Sequence, residues 1–262
     1  LQGIRGVLAA QAALLDAHVK VQTLLFVFVT ADRLHLELPP AMAGKTLQLL
    51  DKFLISEKVE LADVSEAFAC FSLQGPAAAR VLADLTGSSV SLEPYCHEER
   101  QADGVATRII RVDETGETGF HCWAPAEHGP AVWARLLGAG KPSALRPVGL
   151  AALNSLRVEA GVPWYGHDVD ESVLLPEIPL DPLVSYTKGC YIGQEIVARV
   201  KYRGHVNRLL SGFVLDGNRV PAFGARVVKD GAEVGRITSA VHSFSLRRPI
   251  ELGFVRRECA EP

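Results

Sequence analysis

Residues 188–195, Lys-Gly-Cys-Tyr-Ile-Gly-Gln-Glu, crowd a cation, a thiol, two glycines, a phenol, an amide and a carboxylate into about two helical turns. Cys190 lies beside Lys188 and near the start of a helix predicted over 190–202. A cation and a helix N-terminus both favour thiolate over thiol, which makes a cysteine more reactive. A thiol with a purely structural role is the competing reading, and local sequence leaves both open. Gly189 and Gly193 allow tight turning and close approach of a ligand. Behind them run Arg199, Lys201, Arg203, His205 and Arg208, with Glu195 the nearest acid. That run is either a solvated basic face or a site for a polycarboxylate tail or a phosphate.

Three further stretches carry chemical groups. Ser72-Leu73-Gln74-Gly75-Pro76 reads as a strand end and a helix start. The free N–H groups there could receive an anion, although most such junctions are only structural. Gly116-Glu117-Thr118-Gly119-Phe120-His121 reads as a turn between strands, with Glu117 either solvated or orienting a ligand. Arg157 closes a predicted helix and is followed by Trp164, Tyr165, His167 and Asp168. The helix dipole alone favours an arginine there. A functional reading has its guanidinium clamping a carboxylate while Trp164 or Tyr165 stacks on a flat ring. His167-Asp168 resembles half of a metal or acid–base site.

The elements that must position these groups follow from periodicity and punctuation. Strands are predicted over 21–30 and 33–38 with a turn at Ala31-Asp32 between them, then near 58–64, over 66–73, and within 88–125, notably 107–112 and 119–124. Helices are predicted after Pro39-Pro40 (Leu47, Leu50 and Leu54 on one face), from Gly75-Pro76 to Gly87, over 127–138 and from Pro147 to Gly161. Beyond about residue 206 helical periodicity gives way to short strands over 208–215, 226–229, 233–241 and 250–255, the pattern of a small barrel or sandwich. The class is α+β. Residues 1–205 form one region of two halves, 1–65 and 66–205, and 206–262 form a second.

Length and composition bound the function. The chain has 262 residues, 48% hydrophobic and 22% charged, with net charge −3, so a packed core is expected and a wholly nucleic-acid-coating surface is not. Its longest strongly apolar run, 24–29, is far short of the roughly 20 residues that span a bilayer. With no leader pattern at residue 1, the expected location is cytoplasmic. Five cysteines without a CxxC pair fit a reducing compartment and supply no zinc or iron–sulfur ligand set by spacing. No long heptad or flat apolar face is evident, so a monomer is expected.

Together these stretches resemble the glycine-cleavage T-protein (aminomethyltransferase) family, and most closely its YgfZ-type branch of folate-binding proteins linked to iron–sulfur cluster maintenance. The likeness runs in order through 72–76, 116–120, 156–168 and 188–195, the last being the most specific, and continues in 235–239 and 252–255. The resemblance implies two intertwined α+β folate-binding halves plus a small C-terminal β-barrel, with tetrahydrofolate or a folate derivative as cofactor. Carried over by motif, Arg157, Tyr165, Lys188, Glu117, His121 and Gln194 are the expected cofactor-binding positions and Cys190 the working thiol. Two departures bear on turnover. Thr23 and Leu24 stand where T-proteins carry their catalytic acids, and His121 ends a motif that in the family ends in a carboxylate. Leucine cannot stabilise charge in a methylene-transfer intermediate. The resemblance therefore implies an accessory protein for client iron–sulfur enzymes. A true aminomethyltransferase using Asp16 or Asp168, and an RNA-binding module using 199–208, are the alternatives.

Overall fold

The computed structural model describes residues 9–30, 32–179 and 184–260. Mixed helices and strands divide into two compact units, each assembled from discontinuous pieces of chain. Among the described residues, one is built mainly from the chain between Leu25 and Val148, the other from Ala12–Leu24 and the chain from Gly149 onward. Strands β1 (Ala9–Leu15) and β2 (Val21–Val29) each contribute residues to both. This division differs from a cut at residue 205.

The first unit is built on a four-stranded antiparallel sheet. Its strands are β4 (Phe68–Gln74), β5 (His97–Ala102), β6 (Val105–Arg111) and β7 (Gly119–Pro125), in the order β4-β7-β6-β5. The period of two splits β7 cleanly. Phe120, Cys122 and Ala124 enter a core with Leu73, Ile109 and the helices α2 (Ala78–Thr86) and α3 (Gly129–Gly140), which bring Val81, Leu82, Val132 and Leu136. Trp123 turns the other way, to Phe28 and Ile110, under the hairpin of β2 and β3 (Leu34–Glu37). Gly87 stops α2 in the left-handed conformation, φ 72°, its N–H bonding to Ala83 O. Helix α1 (Ala43–Asp51) buries only Thr46. No strand forms over 58–64. Those residues are almost all exposed and have no face to bury, and Asp63 instead caps Ser65 at 2.9 Å.

The second unit contains a four-stranded antiparallel sheet in the order β8-β11-β10-β9. Strands β8 (Arg208–Val214), β9 (Arg226–Lys229), β10 (Ala232–Ser243) and β11 (Arg248–Arg256) all fall where alternation and turn residues predict them. Helix α4 (Leu150–Glu159) packs on β10 and β11. One continuous core joins Val158, Val173 and Leu175 to Leu210, Leu252 and Phe254. That shared core is why residues 149–205 do not separate from 206–262. Helix α5 (Gln194–Arg203) starts four residues later than expected because Gly193 is left-handed, φ 83°, and breaks the turn. A Cβ at Gly193 would meet Val19 Cγ2 at 2.8 Å.

Candidate functional site

Strand register assembles a polar cluster on the hairpin-covered face of the first unit's sheet. In an antiparallel pair, residues directly opposite share a face. β4 sets Cys70 opposite Trp123 and Ser72 opposite His121, while β6 sets Ile110 opposite His121. Glu37, last residue of β3, approaches the same face. His121 Nδ1 lies 2.7 Å from Glu37 Oε1, and Nε2 lies 3.2 Å from Glu114 Oε2. Both are ion-pair contacts. Glu37 also accepts the Trp123 indole N–H at 3.1 Å, and Glu114 accepts the Ser72 hydroxyl at 2.9 Å. Cys70 Sγ sits 4.0 Å from Glu37 Oε1, and one donor atom each from Glu37, Cys70 and His121 fall within 4.8 Å of one another. Phe26 closes on the imidazole edge-on, 5.9 Å between centroids.

The electrostatics follow from this crowding. His121 is 4% exposed, and burial opposes its charged form, yet Glu114 and Glu37 outweigh that and push its pKa up to about 10. Burial would raise the Glu114 carboxyl, but His121 and Ser72 hold it below the usual carboxylate range. Cys70 as a whole is solvent-exposed, but the atoms packed around its sulfur, and then Glu37, raise the thiol's pKa. Cys122, on the opposite face and fully buried, is pushed up to about 12 by burial.

The second unit holds a different arrangement around Arg157. Its side chain is 1% exposed and ion-paired to Asp168, whose side chain is fully buried. Arg157 Nε and Nη2 donate to Asn154 Oδ1 at 2.9 and 2.7 Å, Nη1 to Val162 O at 3.1 Å, and Nη2 to the Ser239 hydroxyl at 2.5 Å. Asp168 in turn accepts the Thr238 hydroxyl at 2.5 Å and the Trp164 N–H at 3.1 Å. Consecutive strand residues normally point apart. A bulge between Ile237 and Ser239 lets Thr238 and Ser239 both reach the pair. The Trp164 ring lies 4.8 Å from the guanidinium carbon. Every donor of Arg157 is engaged within the protein, so the side chain ties α4, the 162–169 loop and β10 together rather than standing free to clamp a carboxylate.

The remaining sequence-derived positions are spread over both units. Lys188 and Cys190 are exposed; the Lys188 ammonium lies 4.7 Å from the Tyr191 ring centroid, and its N–H bonds Ser185 Oγ at 3.1 Å. Gln194 accepts the Tyr191 N–H at 3.2 Å, and Tyr165 and Tyr191 pack against the same core. Glu117 is exposed in the β6–β7 loop, four residues before buried His121. Arg199, Lys201 and Arg203 are exposed, whereas Arg208 bonds Glu177 at 3.0 Å and lies over Phe254. Sequence reasoning missed Glu37, Cys70 and Glu114. The alternation Cys70, Ser72, Gln74 along β4 was the available signal for one polar face.

A sheet carrying helices on one face and a polar cluster on the other, joined in sequence to an all-antiparallel C-terminal sheet, defines a two-part α+β protein. Residues 16–188 match the GCVT N-terminal domain and residues 208–262 the glycine cleavage T-protein C-terminal barrel domain. The chain belongs to this family. It is 34% identical over 206 residues to an aminomethyltransferase of Caldanaerobacter subterraneus subsp. tengcongensis, covering 78% of this chain and 55% of that protein. With an aminomethyltransferase of Geobacillus kaustophilus it is 37% identical over 205 residues, 77% and 56% respectively. The aligned region thus spans little more than half the length of these relatives. The crystal structure of glycine cleavage system aminomethyltransferase T from Bartonella henselae superposes with TM-score 0.85 at 26% identity, covering 97% of this chain and 70% of that one. No helix among the described residues is long and apolar enough to cross a membrane.

Proposed function

We propose that this chain is a tetrahydrofolate-binding member of the T-protein family that supports iron–sulfur cluster assembly or repair in client enzymes, without aminomethyl transfer. One observation carries the absence of turnover. Thr23 and Leu24, at the place of the family's catalytic acids, lie in β2 at 0% and 8% exposure, Leu24 packing among Val19, Val21 and Val158. The substitute acids also fare poorly. Asp168 is saturated by Arg157, Thr238 and Trp164, and Asp16 is engaged with the N–H groups of His18 and Lys20 at 2.8 and 3.0 Å. The link to iron–sulfur clients is supported by the resemblance of 188–195 and by the exposure of Lys188 and Cys190.

The residues fit a folate in part. With every Arg157 donor engaged, exposed Lys188 is the cation left among the motif positions for an anionic tail. The carboxylate lost to His121 is matched by Glu114 and Glu37 beside it. When bound, folate would supply the one-carbon carrier. The protein's own part is to orient the pterin and present Cys190. Titration with folinic acid tests binding: saturation is expected, weakened in Lys188→Ala, and no saturation contradicts the reading. Client iron–sulfur enzymes should lose activity with Cys190→Ala; full client activity removes the thiol's role. The relatives' name favours the second reading, a working aminomethyltransferase, which a methylene-transfer assay separates from the first.

A further inference from the structure

We propose that Glu37, Cys70 and His121 form a binding site for a divalent transition-metal ion of the zinc class. The three side chains come from β3, β4 and β7 and meet on one sheet face by register. Oxygen, sulfur and nitrogen donors together suit zinc or cobalt, whereas magnesium and calcium prefer oxygen alone. Their donor atoms lie within 4.8 Å of one another, with Nδ1–Oε1 at 2.7 Å and Sγ–Oε1 at 4.0 Å. With metal–ligand bonds of about 2.0–2.3 Å, tetrahedral ligands stand on the order of 3.5 Å apart, so small side-chain shifts suffice.

Two features distinguish the cluster from an ordinary buried ion pair. His121 is 4% exposed, and its two ring nitrogens face only carboxylate oxygens, Glu37 at 2.7 Å and Glu114 at 3.2 Å, with the Cys70 sulfur on the Glu37 side. The groups behind the donors are also those that metal sites use. Glu114 stands at Nε2 and is itself held by Ser72, so Nε2–H can be fixed there while Nδ1 faces the metal; Trp123 N–H holds the second oxygen of Glu37. Binding releases two protons, one from Nδ1 and one from the Cys70 thiol. An imidazolium and a thiol become a neutral imidazole and a thiolate around a dication, so the cluster's net charge is unchanged. Three protein donors leave a fourth coordination position to be filled by a water or another small ligand.

The test is a cobalt(II) titration of the whole, chelator-treated chain. The structure predicts one equivalent bound with a near-ultraviolet thiolate-to-cobalt band, displaced by zinc. Cys70→Ser, a near-isosteric change at an exposed residue, should abolish the band; Cys190→Ser should leave it. Glu114→Gln should weaken cobalt about 10–100-fold. Zinc should also protect Cys70 from alkylation, read on the peptide by mass. No band in the native chain, a band that survives Cys70→Ser, or one lost with Cys190→Ser overturns the proposal.

Discussion

The two units each bury a cluster of charges, and they bury them to opposite ends. Around Arg157 and Asp168 every donor and acceptor finds a partner, from helix, loop and strand alike. Around His121 two carboxylates and a thiol crowd one imidazole, and the donor atoms of Glu37, Cys70 and His121 converge. A saturated cluster has nothing left to offer a ligand and serves the fold. A cluster whose thiol and carboxylates converge on one imidazole from separate segments still offers donors that a cation can bind. Motif reading assigned a ligand role to the saturated arginine and to His121 alike.

Mutation should separate the two. Arg157→Met strands the Asp168 carboxylate in the core and should cost about 3–5 kcal/mol in denaturant melts, with part recovered in the double variant Arg157→Met/Asp168→Leu. His121→Leu should cost less, about 2 kcal/mol near pH 6 in chelator-treated protein. The sign of its pH dependence is fixed by the raised pKa. Stabilisation by the imidazolium is complete below the ordinary value of 6.5 and fades as pH rises through about 10, so native and variant melts should converge there. Melts that stay parallel across that window would show His121 to be uncharged in the fold.

Smaller effects test the positioning of the octet. Gly193→Ala forces a left-handed alanine against Val19 and should cost about 1–2 kcal/mol. Cys190→Ser, at an exposed thiol, should shift stability by no more than about 0.5 kcal/mol. Loss of client support in that variant would then be chemical in origin.

Much of the fold was legible. β9 lies over the residues that alternation predicts, and the helices α2, α3 and α4 follow their Pro and Gly punctuation. The failures share a cause. The polar run at 58–64 has β-compatible residues but no surface to cover, so no strand forms there. The start of α5 depends on Gly193 fitting against Val19, which lies far away in sequence. The site was half visible. His121 stood out because it ends the 116–121 stretch, but its partner Glu37 reaches the same face from 86 residues before Trp123, through tertiary pairing that periodicity does not encode. Arg157 shows the converse. A motif can mark a residue without saying whether its donors are spent.

Thr23 and Leu24 make the functional account vulnerable to a single assay. Purified protein would be mixed with tetrahydrofolate and a protein-borne aminomethyl donor, and methylene-tetrahydrofolate would be quantified beside folate retained on the protein. Retained folate with no product above the protein-free rate is the predicted result. Catalytic formation of methylene-tetrahydrofolate would contradict the account and make this chain an aminomethyltransferase in its own right.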